Sequence, residues 1–337
     1  MESNVLVSIR NLAKYFDISG GWLEQLHFEN GKVSRRKTIV KAVNKVSFDI
    51  RRGETVSVVG ESGCGKSTLA RTVMGLYPPN GGEVYYRDKR IDQLSEKALK
   101  PYKTRMQMVF QDPYASLNPR MTVKKILQEP IRFHHPGMKD IEVKAKIVEV
   151  MQQVGIDPDW QTRYPHEFSG GQRQRISIAR ALTVDPEFIV ADEPIAALDV
   201  SIQAQILNLM MELQEEKNLT YLFISHDLSV VEHISDKVAV MYLGSLCEFG
   251  DAKQLFASPK HPYTQALLSA IPKIGEHFSH TKLSGDVPTP INLPPGCVFH
   301  TRCPHARAIC KEQTPTLISD KDNMLISCHG VEQGWFQ

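Results

Sequence analysis

The first sixty residues alternate apolar and polar positions in a way that predicts β-strands. The segment "VLVSIRNLAKYF" (5–16) has a period of two, and "AVNKVSFDIRRGETVSVVG" (42–60) contains two further runs separated by Arg52 and Gly53. Between these segments, residues 17–40 are polar and contain glycine without a clear period, so we expect an inserted loop or a short helix there. The N-terminal part of the chain is therefore expected to be rich in β-structure.

From the middle of the chain the pattern becomes helical and then alternates. Residues 142–154 place four aliphatic side chains on one helical face. After residue 169, the helical pattern "QRQRISIARAL", the strand pattern "EFIVAD", the helical pattern "SIQAQILNLMMELQEE" and the strand pattern "TYLFIS" follow one another, which is typical of an α/β sheet. Beyond Gly250 prolines become frequent, which predicts a linker and a small, irregular C-terminal domain.

Composition narrows the classes of function. The 337 residues include 40 basic and 38 acidic side chains, and this balance, with a net charge of +2, argues against nucleic acid as the main partner. No window approaches the ~18 uninterrupted apolar residues of a membrane span, and the N-terminus lacks the order of a signal peptide. We therefore expect a cytosolic chain, in which thiols stay reduced and the six cysteines do not form a disulfide framework.

The segment "VSVVGESGCGKSTLARTV" carries the clearest chemistry. An apolar strand is followed by the spacing G-x-x-x-x-G-K-S from Gly60 to Ser67, and then by a helix. The glycines allow successive backbone N–H groups to turn towards one anion, and the helix N-terminus adds its positive dipole end. Lys66 supplies a charge to the outer phosphates, and the Ser67 hydroxyl is a hard oxygen suited to Mg²⁺. The sequence therefore predicts a P-loop.

An acidic pair follows the apolar strand in "FIVADEP". Asp192 and Glu193 are adjacent, and neighbouring residues on a strand point to opposite faces, so the two acids can serve two tasks. Asp192 is suited to the Mg²⁺ shell, and Glu193 to orienting and deprotonating the attacking water. Alone, such a pair is more often a cap or a solvated turn. Downstream of a P-loop, the catalytic interpretation is the better one.

The segment "FSGGQRQRISIARAL" resembles the signature motif of ATP-binding cassette (ABC) ATPases. The matching positions are Ser169, Gly170, Gly171 and Gln172. Considered alone, a serine before two glycines and a helix is equally a simple N-cap. In this family the motif contacts the ATP bound to the opposite subunit, so the resemblance implies a dimer with two composite sites.

The other family motifs occur in the same order along the chain. Gln111 in "MVFQDP" resembles the glutamine loop, Asp199 in "ALD" resembles the end of the D-loop, and His226 in "FISHD" resembles the switch histidine. Phe16 lies where the family places an aromatic ring that stacks on adenine, although a lone aromatic at a strand end is otherwise more often part of a core. Ordered motifs over about 210 residues are hard to obtain by chance.

The resemblance implies a role for each matching residue. The catalytic residues are expected to be Glu193, His226 and Gln111. The Mg²⁺ ligands are expected to be Ser67, Gln111 and Asp192. The ATP-binding residues are expected to be Phe16, Gly60, Glu61, Ser62, Gly63, Cys64, Gly65, Lys66, Ser67, Thr68, Ser169, Gly170, Gly171, Gln172 and Asp199.

Within the family, "DPYASLNPRMTV", "ALDVSIQAQIL", "HPYTQALLSAIP" and the cysteine-bearing tail resemble the ATPase subunits of oligopeptide and dipeptide importers. This implies an α/β P-loop ABC ATPase domain over 1–250, with a RecA-like core, an antiparallel β subdomain and a helical subdomain at about 112–175. A small irregular domain over 251–337 would follow.

The same resemblance implies the partners and the location. The partners are a second ABC ATPase subunit, expected to form a heterodimer with this chain, two transmembrane permease subunits and, indirectly, an extracytoplasmic solute-binding protein. Nucleic acid is not expected to be a partner. The chain is expected at the cytoplasmic face of the cell membrane as a peripheral subunit that hydrolyses ATP to energise peptide uptake.

Two alternatives stay open. The same motor could serve nickel or oligosaccharide import, because the solute never touches this subunit. A soluble ABC ATPase of DNA repair or translation is a poorer match. Repair types carry long coiled-coil insertions, and Gln111 and Ser169 are only 58 positions apart; translation types usually hold two cassettes, and this chain has one.

The C-terminal cysteines are Cys297, Cys303, Cys310 and Cys328, with five, six and seventeen residues between successive members. Four thiolates can complete a zinc site or an iron–sulfur cluster, and this spacing matches neither the close pairs of structural zinc sites nor the ferredoxin patterns. Inert thiols are a third interpretation. The resemblance favours a [4Fe–4S] cluster, expected to lie far from the phosphates, with Zn²⁺ or no metal as the alternatives.

Overall fold

The computed structural model describes residues 4–20, 26–29, 32–35, 37–270, 288–291 and 293–335, without the side chains of 26–29 and 32–35. The described strands are β1 (Val5–Asp17), β2 (Leu26–Glu29), β3 (Lys32–Arg35), β4 (Ile39–Arg51), β5 (Thr55–Val59), β6 (Gly81–Tyr86), β7 (Lys89–Arg90), β8 (Met106–Val109), β9 (Phe188–Asp192), β10 (Thr220–Ile224), β11 (Lys237–Tyr242), β12 (Ser245–Asp251), β13 (Ile318–Ser319) and β14 (Leu325–Ile326).

The described α-helices are α1 (Lys66–Val73), α2 (Glu96–Arg105), α3 (Pro113–Ser116), α4 (Val123–His134), α5 (Asp140–Gln153), α6 (Gly170–Leu182), α7 (Val200–Lys217), α8 (Leu228–Ile234), α9 (Ala252–Ala257), α10 (Pro262–Leu268), α11 (Ala308–Glu312) and α12 (His329–Glu332). Two 3₁₀ helices span Pro158–Thr162 and Pro165–Glu167. The strands predicted near the N-terminus and the alternating helices and strands after residue 169 are confirmed. No described helix is long and apolar enough to cross a membrane.

The chain divides into two compact units. The first contains residues 4–6, 50–57 and 93–225, and the second contains the described residues of 7–49, 58–92 and 226–335. Strand β5 begins in the first unit and ends in the second.

Three parallel strands form the sheet of the first unit. Strand β9 pairs with β8 on one side and with β10 on the other. All residues of β9 and β10 are buried, as expected for parallel strands covered on both faces. Helix α6 meets α7 closely because position 171 is glycine: a Cβ there would lie 2.5 Å from Ile202 Cγ2.

The second unit contains antiparallel sheets. Strand β1 lies between β4 and β6, and β7 completes that sheet. Strand β12 pairs with β11 and with β14, so the C-terminal segment adds its short strands to the edge of β12. The predicted boundary at residue 250 falls inside β12, and it stays a prediction. One buried cluster contains Tyr242 from β11, Tyr263 from α10 and Phe299 from the C-terminal segment, so this segment shares a core with β11.

The segment expected to be a loop or a short helix contains a hairpin instead. Strands β2 and β3 pair in an antiparallel register from Leu26↔Arg35 to Glu29↔Lys32. The sequence signal for it is Asn30-Gly31 between the two runs, since this dipeptide is the strongest short-range indicator of a two-residue hairpin connection.

Candidate active site

The loop after β5 requires glycine at two points. Gly60 has φ +147°, and a Cβ there would lie 2.1 Å from the carbonyl oxygen of Met241. Gly65 has φ +104°, and a Cβ there would lie 1.9 Å from the carbonyl oxygen of Ala42. Any larger residue at either position would force the backbone apart. The glycine spacing of the motif is therefore a geometric requirement of this loop, which leads directly into α1.

The Lys66 side chain folds back over the loop. Its Nζ donates hydrogen bonds to the carbonyl oxygens of Gly60, at 2.8 Å, and Glu61, at 3.2 Å, and the residue is 5% exposed. Cys64, which lies between Gly63 and Gly65 in the loop, is buried, and burial raises the pKa of its thiol. Nζ also lies 4.0 Å from Cys64 Sγ, a weak acceptor, so each of the three N–H donors of the ammonium has a neighbour in the loop. Ser67 and Thr68 are half-buried at the start of α1.

In the first unit, the structure brings Gln111 and Glu193 together. Gln111 Nε2 donates to Glu193 Oε2 at 2.9 Å. Glu193 has φ +48°, an uncommon conformation for a residue with a side chain, and its N–H donates to the carbonyl of Ile224. Asp192, the last residue of β9, is 2% exposed. The left-handed turn separates the two acids into one buried and one half-buried carboxylate, as expected for residues with different tasks.

Ser169 is the N-cap of α6. Its hydroxyl accepts from the N–H of Gln172, and Gln172 Oε1 accepts from the N–H of Ser169 at 3.0 Å. This reciprocal pair is a capping box. Ser169 is exposed, so the N-terminus of this 13-residue helix is open to an anion from outside the chain.

The remaining predicted residues lie at element ends. Phe16, near the end of β1, is half-buried, and its ring meets the Tyr77 ring edge-on with 5.6 Å between the centroids. Lys14 Nζ lies 5.1 Å from the centre of the Phe16 ring. His226 is exposed between β10 and α8, and Asp199 is the exposed N-cap residue of α7. The ring of Phe16 therefore has two neighbours, Lys14 and Tyr77, and Tyr77 is one that the sequence did not indicate.

The four C-terminal cysteines line one cavity. His300, His305 and His329 line it as well. Burial, with smaller contributions from the neighbouring thiols, raises the pKa of Cys297 to about 12. Within the part of the chain that the structure describes, no three Cys, His, Asp or Glu side chains are arranged to hold a metal ion. The thiols thus converge on one cavity, but among the described residues they do not form an arrangement of metal ligands, and the predicted cluster stays a prediction.

The cysteine-bearing segment contacts the phosphate-binding loop through a neighbouring arginine, and the distance of the cluster itself from the phosphates stays a prediction. Arg302, which directly precedes Cys303, donates from Nη1 to both carboxylate oxygens of Glu61 in the loop, at 2.9 and 3.0 Å. The two partners are 241 positions apart, and spacing along the sequence contained no signal for this contact.

Two family models match this chain. Residues 43–196 match the model described as ABC transporter, and residues 247–310 match the model described as oligopeptide/dipeptide transporter, C-terminal region. The oligopeptide transport ATP-binding protein AppF of Bacillus subtilis is 51% identical over 329 residues, covering 96% of this chain and 97% of that protein. This chain belongs to the ATPase family of oligopeptide and dipeptide ABC transporters.

Other relatives agree with this assignment. The dipeptide transport ATP-binding protein DppF of Escherichia coli is 50% identical and covers 88% of both chains. Among solved structures, cbiO1 of Clostridium perfringens, part of the ABC transporter complex cbiONQ, has a TM-score of 0.62 and 25% identity, covering 76% of this chain and 92% of its own. A dimeric ATP-binding cassette bound to ADP and Pi has a TM-score of 0.60 and 27% identity, covering 73% and 99%.

Membership in the ABC family confirms two predictions. The chain has the α/β fold of a P-loop ABC ATPase, and it is an ATPase. The assignments of single residues to ATP, Mg²⁺ and catalysis stay predictions. Arg302 and Tyr263, which both contact Glu61, lie outside the motifs from which the ATP-site roles were assigned; Tyr263 belongs to "HPYTQALLSAIP", which indicated only the importer branch.

Proposed function

We propose that this chain is the ATP-hydrolysing motor subunit of an ABC importer for dipeptides and oligopeptides. The observation that carries the proposal is similarity along nearly the whole chain, including the C-terminal region, to ATP-binding proteins named for oligopeptide and dipeptide transport. A match confined to 43–196 would support only a nucleotide-binding role. Similarity that continues through the C-terminal region supports the peptide-transport branch over nickel or oligosaccharide import.

The residues of the second unit would bind the phosphates. Successive N–H groups of the loop and the N-terminus of α1 suit an anion, and Lys66 is already oriented by two carbonyls. As Mg²⁺ ligands we propose Ser67 in this unit and, in the first unit, Gln111 and Asp192, because their hydroxyl, amide and carboxylate oxygens are the donors that this ion takes. Because Gln111 uses its NH₂ group on Glu193, its amide oxygen is the atom suited to the metal. The bound ion would neutralise the charge on the phosphates.

Glu193 would act as the general base. Its carboxylate is half-buried after a sharp turn, and the hydrogen bond from Gln111 orients it. A positioned carboxylate takes the proton of the attacking water as the water's oxygen bonds to the γ-phosphorus, while the bond from that phosphorus to the bridging β-phosphate oxygen breaks and ADP leaves. His226, exposed beyond β10, would contact the γ-phosphate.

Two ATPase subunits would complete the sites. The exposed N-terminus of α6 at Ser169 and Gly170 suits the phosphates of an ATP held by another chain, and Asp199 would support the same contact. We infer that the companion is a second, different ATPase subunit. The two would act on separate permease subunits at the cytoplasmic face of the membrane, supplied by an extracytoplasmic solute-binding protein.

Helix α3 and the loop after it would meet the permeases. Tyr114 in this helix is 60% exposed, and the Arg173 guanidinium lies 3.9 Å from its ring centre. Arg180 donates to the carbonyl of Ser116, so helix α6 braces this surface from behind. A braced surface with an exposed aromatic ring suits a protein partner.

The solute class is tested by uptake. Cells lacking this chain should lose accumulation of a labelled tripeptide, and the wild-type chain should restore it. Uptake of labelled nickel and of an oligosaccharide, measured in the same cells, should not change. Loss of nickel or oligosaccharide uptake with normal tripeptide uptake would assign the motor to that solute instead.

We further propose that Cys297, Cys303, Cys310 and Cys328 hold a [4Fe–4S] cluster, with Zn²⁺ as the alternative occupant. Their convergence on one cavity supports this, and the lack of a ligand arrangement among the described residues opposes it. Metal binding requires thiolates, and burial raises the pKa of Cys297 to about 12 in the metal-free chain. Loading would therefore release protons and would weaken as the pH falls.

Anaerobically purified protein should contain about four iron and four sulfide per chain, the content of such a cluster. Cys303→Ser should lose the iron, whereas Cys64→Ser, which changes a thiol outside the cavity, should keep it. Elemental analysis with absorption spectroscopy decides the matter. Colourless protein with one zinc, or with no metal, contradicts the cluster.

A further inference from the structure

The side chain of Glu61, the second residue of the phosphate-binding loop, is held by the C-terminal segment. Arg302 Nη1 donates to Glu61 Oε1 at 3.0 Å and to Oε2 at 2.9 Å, and it lies 3.4 Å from the hydroxyl of Tyr242. Arg302 is 9% exposed, and the Glu61 side chain is 24% exposed. This is a largely desolvated ion pair, in which the loss of one partner leaves the other without compensation.

The backbone of Glu61 is held from the same direction. Its N–H donates to the hydroxyl of Tyr263 at 3.0 Å. Tyr263 is fully buried. The centroid of its ring lies 4.7 Å from that of Tyr242 and 5.3 Å from that of Phe299. Since the Glu61 carbonyl accepts from Lys66, the N–H, the carbonyl and the carboxylate of this residue are all engaged. The position of Glu61 therefore depends on residues 200 positions and more away.

Charge gives the contact a consequence for binding. A loop that binds a triphosphate carries a carboxylate at Glu61, and like charges at close range repel one another. The Arg302 guanidinium neutralises this carboxylate and draws it into the ion pair. Without Arg302, the carboxylate would oppose the phosphates, and the loop would lose one of its anchors.

We propose that Arg302 and Tyr263 are positioning residues of the ATP site: through Glu61 they hold the phosphate-binding loop in shape and cancel its negative charge. The inference rests on the proposed function only in that the loop binds ATP. It gives the C-terminal segment a direct part in nucleotide affinity. Arg302 and Tyr263 act through Glu61 and need no contact with ATP.

The test is a titration of the full chain with a fluorescent ribose-modified ATP analogue in the presence of Mg²⁺. Arg302→Ala should weaken binding about tenfold, which is less than the loss expected when a buried charge in direct contact with the ligand is truncated, because Arg302 acts through Glu61. Arg302→Lys, which keeps the charge but not the two-oxygen contact, should lose less. Arg307→Ala is the matched control, because Arg307 is an exposed arginine of the same segment stacked on Trp335, and it should bind as the wild type does.

Rescue separates this role from a merely structural one. In the Glu61→Gln background, Arg302→Ala should cost about twofold or less, because the carboxylate that it left uncompensated is gone. Tyr263→Phe keeps the buried ring and removes only the acceptor for the Glu61 N–H, so it tests the proposal even if Arg302→Ala does not fold. We expect it to weaken binding about threefold, in line with one lost hydrogen bond.

Three results would overturn the inference. They are wild-type affinity in both Arg302→Ala and Tyr263→Phe, an equal loss on Arg302→Ala in the wild-type and Glu61→Gln backgrounds, and an equal loss in Arg307→Ala. If the wild-type chain itself fails to bind the analogue, the proposed nucleotide-binding role of the loop fails first, and this inference fails with it.

Discussion

Glu193→Gln should bind ATP with wild-type affinity and hydrolyse it about 10²-fold more slowly or worse, which is the usual contribution of a positioned general base. Glutamine has the size of glutamate but cannot accept the proton of the attacking water. The variant keeps the left-handed turn at this residue and the N–H donated to Ile224, so only the chemistry of the carboxylate is removed. Steady-state ATPase rates of the reconstituted transporter, with ATP affinity measured in parallel, check both parts.

The matched control is Glu215→Gln, which removes an exposed carboxylate from α7. It should hydrolyse ATP at the wild-type rate. Near-normal hydrolysis by Glu193→Gln would show that another group takes the proton. A large loss of ATP affinity in the same variant would show that Glu193 is needed for binding instead.

Lys66→Ala should weaken ATP binding by about 10²-fold, because truncating one partner of a buried, hydrogen-bonded charge pair costs about 2–5 kcal/mol. Lys66 is 5% exposed, and the carbonyls of Gly60 and Glu61 orient its ammonium group. The positive charge is therefore held at a fixed place in the loop. The loss should appear in affinity and, at saturating ATP, in turnover as well, since the charge also stabilises the transition state.

Lys89→Ala is the control for this change, since Lys89 is an exposed lysine in β7 of the same unit. Its ATP affinity should match that of the wild type at low and at physiological salt. An affinity for Lys66→Ala within twofold of the wild type would refute the phosphate-binding role assigned to this residue.

Features that depend on neighbouring residues could be predicted from the sequence. The P-loop could be predicted because its glycines, lysine and serine are contiguous, and the structure explains the spacing by the close approach of backbone at Gly60 and Gly65. The buried strands β9 and β10 read as continuous apolar runs. The hairpin of β2 and β3 was missed because the Asn30-Gly31 signal lies within a segment that lacks strong alternation.

Long-range contacts explain the remaining differences. Nothing near Arg302 indicates that its guanidinium meets Glu61, because the ion pair arises only when β12 and β14 bring the C-terminal segment onto the core of the second unit. The cysteine spacing did not decide between a zinc site, an iron–sulfur cluster and inert thiols. The reason is the same, because the cavity brings together cysteines that are separated along the sequence. The sequence indicated which residues are candidates for binding and catalysis. Which of these residues contact one another is decided by tertiary packing.

Peptide uptake should depend on ATP hydrolysis by this chain. The most direct measurement is accumulation of a labelled tripeptide in cells that lack the chain and carry either the wild type or Glu193→Gln at equal expression. The wild type should restore accumulation fully, and accumulation with Glu193→Gln should stay at the background level. Equal accumulation with both, or uptake that does not change when the chain is lost, would contradict it.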